Sequence, residues 1–204
     1  MRIGGRDLAT TAAIALLGVA VLSWGSDGFT AFTAEAARRR QVLAEPRPLP
    51  AVGLEDQDGR RFSFADYAGR LLAVEFVYTR CDTVCYSLGA AFKQIRESVP
   101  AHRLGRDFAL LSVSFDPVRD DPPRLREYAG RFGADGVHWR IARPADAGEL
   151  AALLAAFGVV VVPDGLGGFE HNAAIHLVGR DGRLRRIADL DAVDAFVAGL
   201  ERET

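Results

Sequence analysis

Two cysteines, Cys81 and Cys85, stand in the stretch "FVYTRCDTVCYSLG", residues 76–89. Cysteine makes reversible disulfides and binds soft metal ions, and both activities use the thiolate. Side chains four residues apart lie on one side of a helical turn. The pair therefore fits three chemistries: a disulfide that is made and broken, two-thiolate coordination of a soft metal, or a staple across a turn. The staple is the weakest, because closing so short a loop constrains the unfolded chain little.

A metal centre needs further ligands. Met1 is the only methionine, so a thioether site is excluded. Of the four histidines, His102 in "PAHRLG" reads as a surface loop residue, and His138 beside Trp139 as packing or surface. His171 follows the glycine-rich loop "PDGLGGFE" and precedes "AAIHLV". An imidazole there completes a three-ligand set with two thiolates, and such a soft set points to copper. Structural zinc would want a fourth protein ligand. His176 lies five positions on, so strand alternation puts it on the opposite face from His171.

These residues need elements to bring them together. "LLAVEFVY" (71–78) and "FALLSVSF" (108–115) are nearly continuous apolar runs of strand length, as central strands covered on both faces require. "CYSLGAAFKQIRESV" has helical spacing between them. Asp121 followed by two prolines starts a second helix. "VHWRIA" (137–142) is a short strand, "DAGELAALLAAFG" a helix ending at Gly158, and "AAIHLV" and "LRRIA" a hairpin around Arg180-Asp181-Gly182. A final helix is "DAVDAFVAGLERE", and Asp58-Gly59 marks an earlier hairpin. Alternating helices and buried strands imply parallel pairs. With the terminal hairpin and helix, this predicts an α/β, thioredoxin-like mixed sheet flanked by helices. The cysteine motif then sits between the first central strand and its helix, with the thiolate favoured by the helix N-terminus. The entry to "AAIHLV", with His171, faces it. Glu75, inside the first strand run, is either a partly exposed position or a desolvated acid able to act as a base.

The N-terminal segment is different in kind. Arg2 and Arg6 precede a run without charge over residues 8–24. Residues 1–27 read as a transmembrane anchor helix, with a cleavable signal as the rival. Residues 28–49 are linker and 50–204 the domain. A short basic N-terminus stays in the cytoplasm, which sends the domain to the far side of the membrane. There a pair of thiols oxidises unless kept reduced. A net charge of −2 over 204 residues gives no case for nucleic-acid binding.

The chain resembles the SCO (SenC/PrrC) family. The resemblance rests on "YTRCDTVC", "LLSVSFDPVRDDPPRLREYAGRFG" and "FEHNAAIHLVGRDGRL", and covers residues 50–191. It implies a membrane-anchored, thioredoxin-fold copper protein of cytochrome c oxidase assembly in the bacterial inner membrane, its domain facing the periplasm. Its expected partner is the oxidase copper-centre subunit, its cofactor a copper ion, and its ligands Cys81, Cys85 and His171. Asp116 matches an acidic position kept near the site, or is a strand-end turn residue. Glu75 lies six residues before Cys81, where thioredoxins place a buried acid. Many members read C-P-D-x-C-P; here both prolines are absent and the acid is Asp82. The leading expectation is a copper metallochaperone. The alternative is a thiol-disulfide reductase that keeps oxidase cysteines reduced, for which Cys81 and Cys85 are the catalytic redox pair.

Overall fold

The computed structural model describes residues 5–25, 33–81 and 84–203; Asp82 and Thr83 of the cysteine motif lie outside the described residues. The chain divides into two compact units, Met1–Ala44 and Glu45–Thr204. The first holds α1 (Gly5–Gly25) and α2 (Ala34–Ala44). In α2, Glu35 pairs with Arg38 at 2.6 Å and Arg39 at 3.0 Å, one helical turn on. The uncharged run of residues 8–24 lies within α1. Among the described residues, however, no helix is long and apolar enough to cross a membrane. The run falls short of the roughly 20 apolar residues a spanning helix needs, and Thr10, Thr11 and Gly18 dilute its hydropathy.

The second unit runs through β1 (Arg47–Pro48), β2 (Gly53–Asp56), β3 (Arg61–Ser63), β4 (Leu71–Val77), α3 (Val84–Ser98), β5 (Phe108–Ser114) and α4 (Pro122–Phe132). It continues through β6 (Trp139–Pro144), α5 (Leu150–Phe157), β7 (Val161–Pro163), β8 (Phe169–His171), β9 (Ile175–Val178), β10 (Arg183–Ala188) and α6 (Val193–Gly199). Eight strands form one sheet in the order β1-β10-β9-β4-β5-β6-β2-β3. β4, β5 and β6 are parallel, and the other neighbours antiparallel. Every residue of β4 and β5 is buried, as their unbroken apolar runs require. Successive β4 side chains face opposite sides. Phe76 meets Phe157 of α5, ring centroids 5.0 Å apart. Glu75 faces the other side; when ionised it raises the pKa of Cys85 of α3 and of Tyr128 of α4. A parallel β4-α3-β5 unit, an antiparallel β9-β10 hairpin and a last helix make the architecture thioredoxin-like.

Local chemistry explains the element ends. Asp121 caps α4 by accepting the Arg124 N–H at 3.1 Å, and Gly133 closes it with φ 77°. β6 begins at Trp139, two residues later than its apolar pattern predicts, because Asp135 takes the Val137 and His138 N–H groups at 3.0 and 2.8 Å. The larger difference lies at residues 161–171. They form a separate two-stranded hairpin of β7 and β8 in place of an open glycine-rich loop, and His171 ends β8.

Candidate metal and redox centre

The chain leaves β4 through Tyr78, Thr79 and Arg80 before reaching Cys81. Asp120, itself fully buried, holds this exit. Its carboxylate accepts from the Thr79 N–H (3.0 Å), the Thr79 hydroxyl (2.6 Å) and the Ser114 hydroxyl (2.5 Å). The ends of β4 and β5 are thus tied to one buried charge. Cys85 lies in the first turn of α3, fully buried, and its carbonyl accepts from the Tyr128 hydroxyl at 3.0 Å. Cys81 Sγ accepts the Cys85 N–H at 3.3 Å. That N–H is among those a helix start leaves without an intrahelical partner, and the helix dipole there favours a thiolate. Both cysteines are free thiols. Burial pushes the Cys85 thiol far up from its ordinary value, and the neighbouring Cys81 side chain pushes the same way.

The third expected residue arrives from the other end of the domain. His171 Nε2 lies 3.8 Å from Cys85 Sγ, across 86 residues of sequence. Its ring packs against Phe115, centroids 4.9 Å apart. Burial lowers its pKa from 6.5, so the ring is neutral, and able to accept a metal, at neutral pH. The hairpin that carries it is ordered at both ends. Asp164 accepts from the N–H groups of Leu166 (2.7 Å) and Gly168 (2.9 Å), with Gly165 and Gly167 at positive φ in the turn. At the base, the Asn172 side chain accepts from Val160 N–H (2.7 Å) and donates to Gly158 O (3.0 Å).

Cys85 and His171 stand at a separation that two ligands of one ion can have, given metal–ligand bonds of roughly 2.0–2.3 Å. Among the described residues, no three His, Cys, Asp or Glu side chains are gathered closely enough to hold an ion as they stand. The Cys81 sulfur meets the main chain at the Cys85 N–H. Two thiolates and a neutral imidazole form a soft set suited to copper.

The remaining candidates separate. Asp116 is buried and accepts from Arg80 (3.4 Å) and Arg119 (3.3 Å), while its carbonyl accepts the Arg119 and Asp120 N–H groups in a turn. Glu75 is fully buried; Ser112 Oγ donates to its Oε1, and Trp139 Nε1 donates to Ser112 Oγ at 2.9 Å. His102 is exposed. His138 pairs with Asp135 at 2.8 Å. His176 is packed against Phe76 and Phe157, with Nδ1 3.2 Å from Val74 O. None of these three meets the cysteines. Sequence reasoning missed Asp120 and Tyr78 as organisers of the site. The signal for Asp120 was a second acid in "FDPVRDD", too close to Asp121 to stand out.

The fold and the thiol-imidazole cluster define a thioredoxin-like protein with a soft-ligand centre at a strand end. The SCO1/SenC family model matches residues 51–202, and the chain belongs to that family. A SCO1 protein homolog of Bacillus subtilis is 26% identical over 132 residues, spanning 64% of this chain and 67% of the relative. Among solved structures, Bradyrhizobium japonicum ScoI with copper bound is 25% identical with a TM-score of 0.66, covering 77% of this chain and 99% of that one. BsSco, described as a Sco family cytochrome c oxidase assembly protein with a disulfide switch, shares the fold. It is 20% identical, with a TM-score of 0.68 over 78% of this chain and 94% of its own.

Proposed function

We propose that this protein is a copper metallochaperone. It binds Cu(I) through Cys81, Cys85 and His171 and passes it to the copper centre of a cytochrome c oxidase subunit. The observation that carries this reading is the approach of His171 Nε2 to Cys85 Sγ, 3.8 Å apart. A reductase needs the two sulfurs and does not require an imidazole beside them. Copper bound to the Bradyrhizobium relative and the soft donor set support the same reading. The chain's residues divide the work. His171 is kept neutral by burial and Cys81 is poised at a helix start. Cys85 loses its proton on metal binding, so loading releases protons. Residues 1–27 would hold the domain on the periplasmic face of the inner membrane. That placement rests on Arg2, Arg6 and the uncharged run behind them, and resistance of the native protein to carbonate extraction from membranes checks it.

Anaerobic Cu(I) titration of the purified protein tests the site. One copper per chain is expected, abolished by Cys81→Ser. His171→Ala should weaken binding by more than about 100-fold, beyond what a residue outside the ligand set is worth. Parent-like affinity in His171→Ala would remove the third ligand.

A second reading, a thiol-disulfide reductase, is favoured by one observation: a fully buried acid, Glu75, in the strand that leads to Cys81, six residues before it. Cys81 and Cys85 become a disulfide, and their two electrons and two protons pass to the oxidase disulfide, which opens to two thiols. This activity would survive His171→Ala, which separates it from copper transfer.

A further inference from the structure

Tyr78 stands three residues before Cys81, and its hydroxyl meets two parts of the chain that come together only in the fold. It accepts the N–H of Phe169 at 3.3 Å, and it lies 3.5 Å from the Phe169 carbonyl, to which it donates. Phe169 opens β8, the three-residue strand that ends in His171. The Tyr78 ring is fixed by Phe115 and Phe169, at centroid distances of 5.3 and 5.4 Å, and Phe115 in turn packs on the His171 ring. Next to it, Arg80 donates to Gly167 O at 3.2 Å, a second tie from the motif to the hairpin.

Gly168 bears on the same contact. Its φ is not among the positive ones, so backbone freedom does not explain a glycine there. A Cβ at Gly168 would lie 3.0 Å from the Tyr78 hydroxyl and 2.5 Å from Asp164 Oδ2. A side chain there would crowd both the Asp164 turn and the hydroxyl.

We infer that Tyr78 is a positioning residue of the copper centre: its hydroxyl ties the segment that leads into Cys81 to the main chain of the His171 strand, so that the third ligand is held in register with the cysteine motif. The inference rests on the three-ligand reading above. Through its bonds to Phe169 the hydroxyl holds His171 at the distance the ion needs. Without the hydroxyl, the hairpin keeps its Arg80 contact, its own turn, its ring packing and the Asn172 bonds at its base, and with one tie fewer His171 departs more readily.

Tyr78→Phe keeps the ring packing and removes only the hydroxyl. In the copper-free protein, hydrogen exchange at the Phe169 amide should accelerate by about fivefold, the worth of one lost hydrogen bond. In the loaded protein, Cu(I) release to a chelator should accelerate by about tenfold, the low end for a partner behind a metal ligand. In a His171→Ala background the same change should alter release by less than about twofold, because the hydroxyl acts through His171. Gly168→Ala, which crowds the hydroxyl from the hairpin side, should repeat the acceleration if Tyr78→Phe folds poorly. Unchanged Phe169 exchange and release overturn the inference, as does equal acceleration with His171 absent. Parent-like copper binding by His171→Ala alone would instead sink the three-ligand reading, and Phe169 exchange would still decide whether the hydroxyl tethers β8.

Discussion

Glu75 has one carboxylate oxygen bonded and one, Oε2, buried without a hydrogen-bond partner. Burial raises its pKa from 4.5 to about 8, and the Ser112 hydrogen bond offsets only part of that. Between those two values the folded protein therefore holds a proton that the unfolded chain has lost. The stabilising contribution of the protonated acid is complete below pH 4.5 and disappears as the pH rises through 8. Urea unfolding of the parent across that window should show stability falling, by up to about 1.4 kcal/mol per pH unit, and Glu75→Gln should flatten the slope. The charge on Glu75 also raises the Cys85 thiol. Once ionised, above about pH 8, Glu75 can accept the Cys85 proton, so Glu75→Gln should slow thiol-disulfide exchange in that range while Cu(I) affinity stays nearly unchanged. Equal exchange rates in stopped-flow with a model disulfide would rule out that role. The oddity of a carboxylate in an apolar run was legible in the sequence. Its burial was not, because the group that accommodates it, Ser112, comes from β5, thirty-seven residues on.

At the scale of elements, α3 and α4 meet at Gly89. A Cβ there would lie 2.6 Å from the Phe132 ring, which is itself wedged by Tyr86 and Tyr128 at centroid distances of 5.5 and 5.0 Å. Gly→Ala within a helix ordinarily stabilises by roughly 0.5–1 kcal/mol. Here overpacking reverses the sign, and Gly89→Ala should lower stability by about 1–3 kcal/mol in denaturant titration. Asp120→Ala strands the Thr79 N–H and two hydroxyls in the interior. It should cost about 3 kcal/mol or more, and should also weaken Cu(I) binding by loosening the exit towards Cys81. Strands β4 and β5 and the cap of α4 could be read from apolar runs and from Asp121-Pro122 because their signals are local. The β7-β8 hairpin could not. Each strand is three residues long, and what pairs them is an Asp164 turn whose glycines look, in sequence, like those of a slack loop.

The whole molecule sets its centre at the junction of distant parts of one unit. Residues 45–204 should unfold in a single transition and bind one copper with parent affinity when produced without residues 1–44, measured by calorimetry and Cu(I) titration. Domain order and the strand-end site were legible because a thioredoxin-like layout follows from alternating elements. The Cys85–His171 approach was legible only as a consequence of that layout. The membrane segment was less so, since its run falls near the boundary between a spanning helix and a shorter targeting element. The 86 residues between Cys85 and His171 also have a meaning in time. At about 5–20 residues per second of synthesis, both sulfurs exist for on the order of 4–17 s before the histidine has been made. A newborn chain is thus a dithiol before it is a complete site. Any oxidant or stray metal met in that interval encounters the pair without the His171 imidazole, so the quality of the finished centre depends on what surrounds the chain while it is still growing.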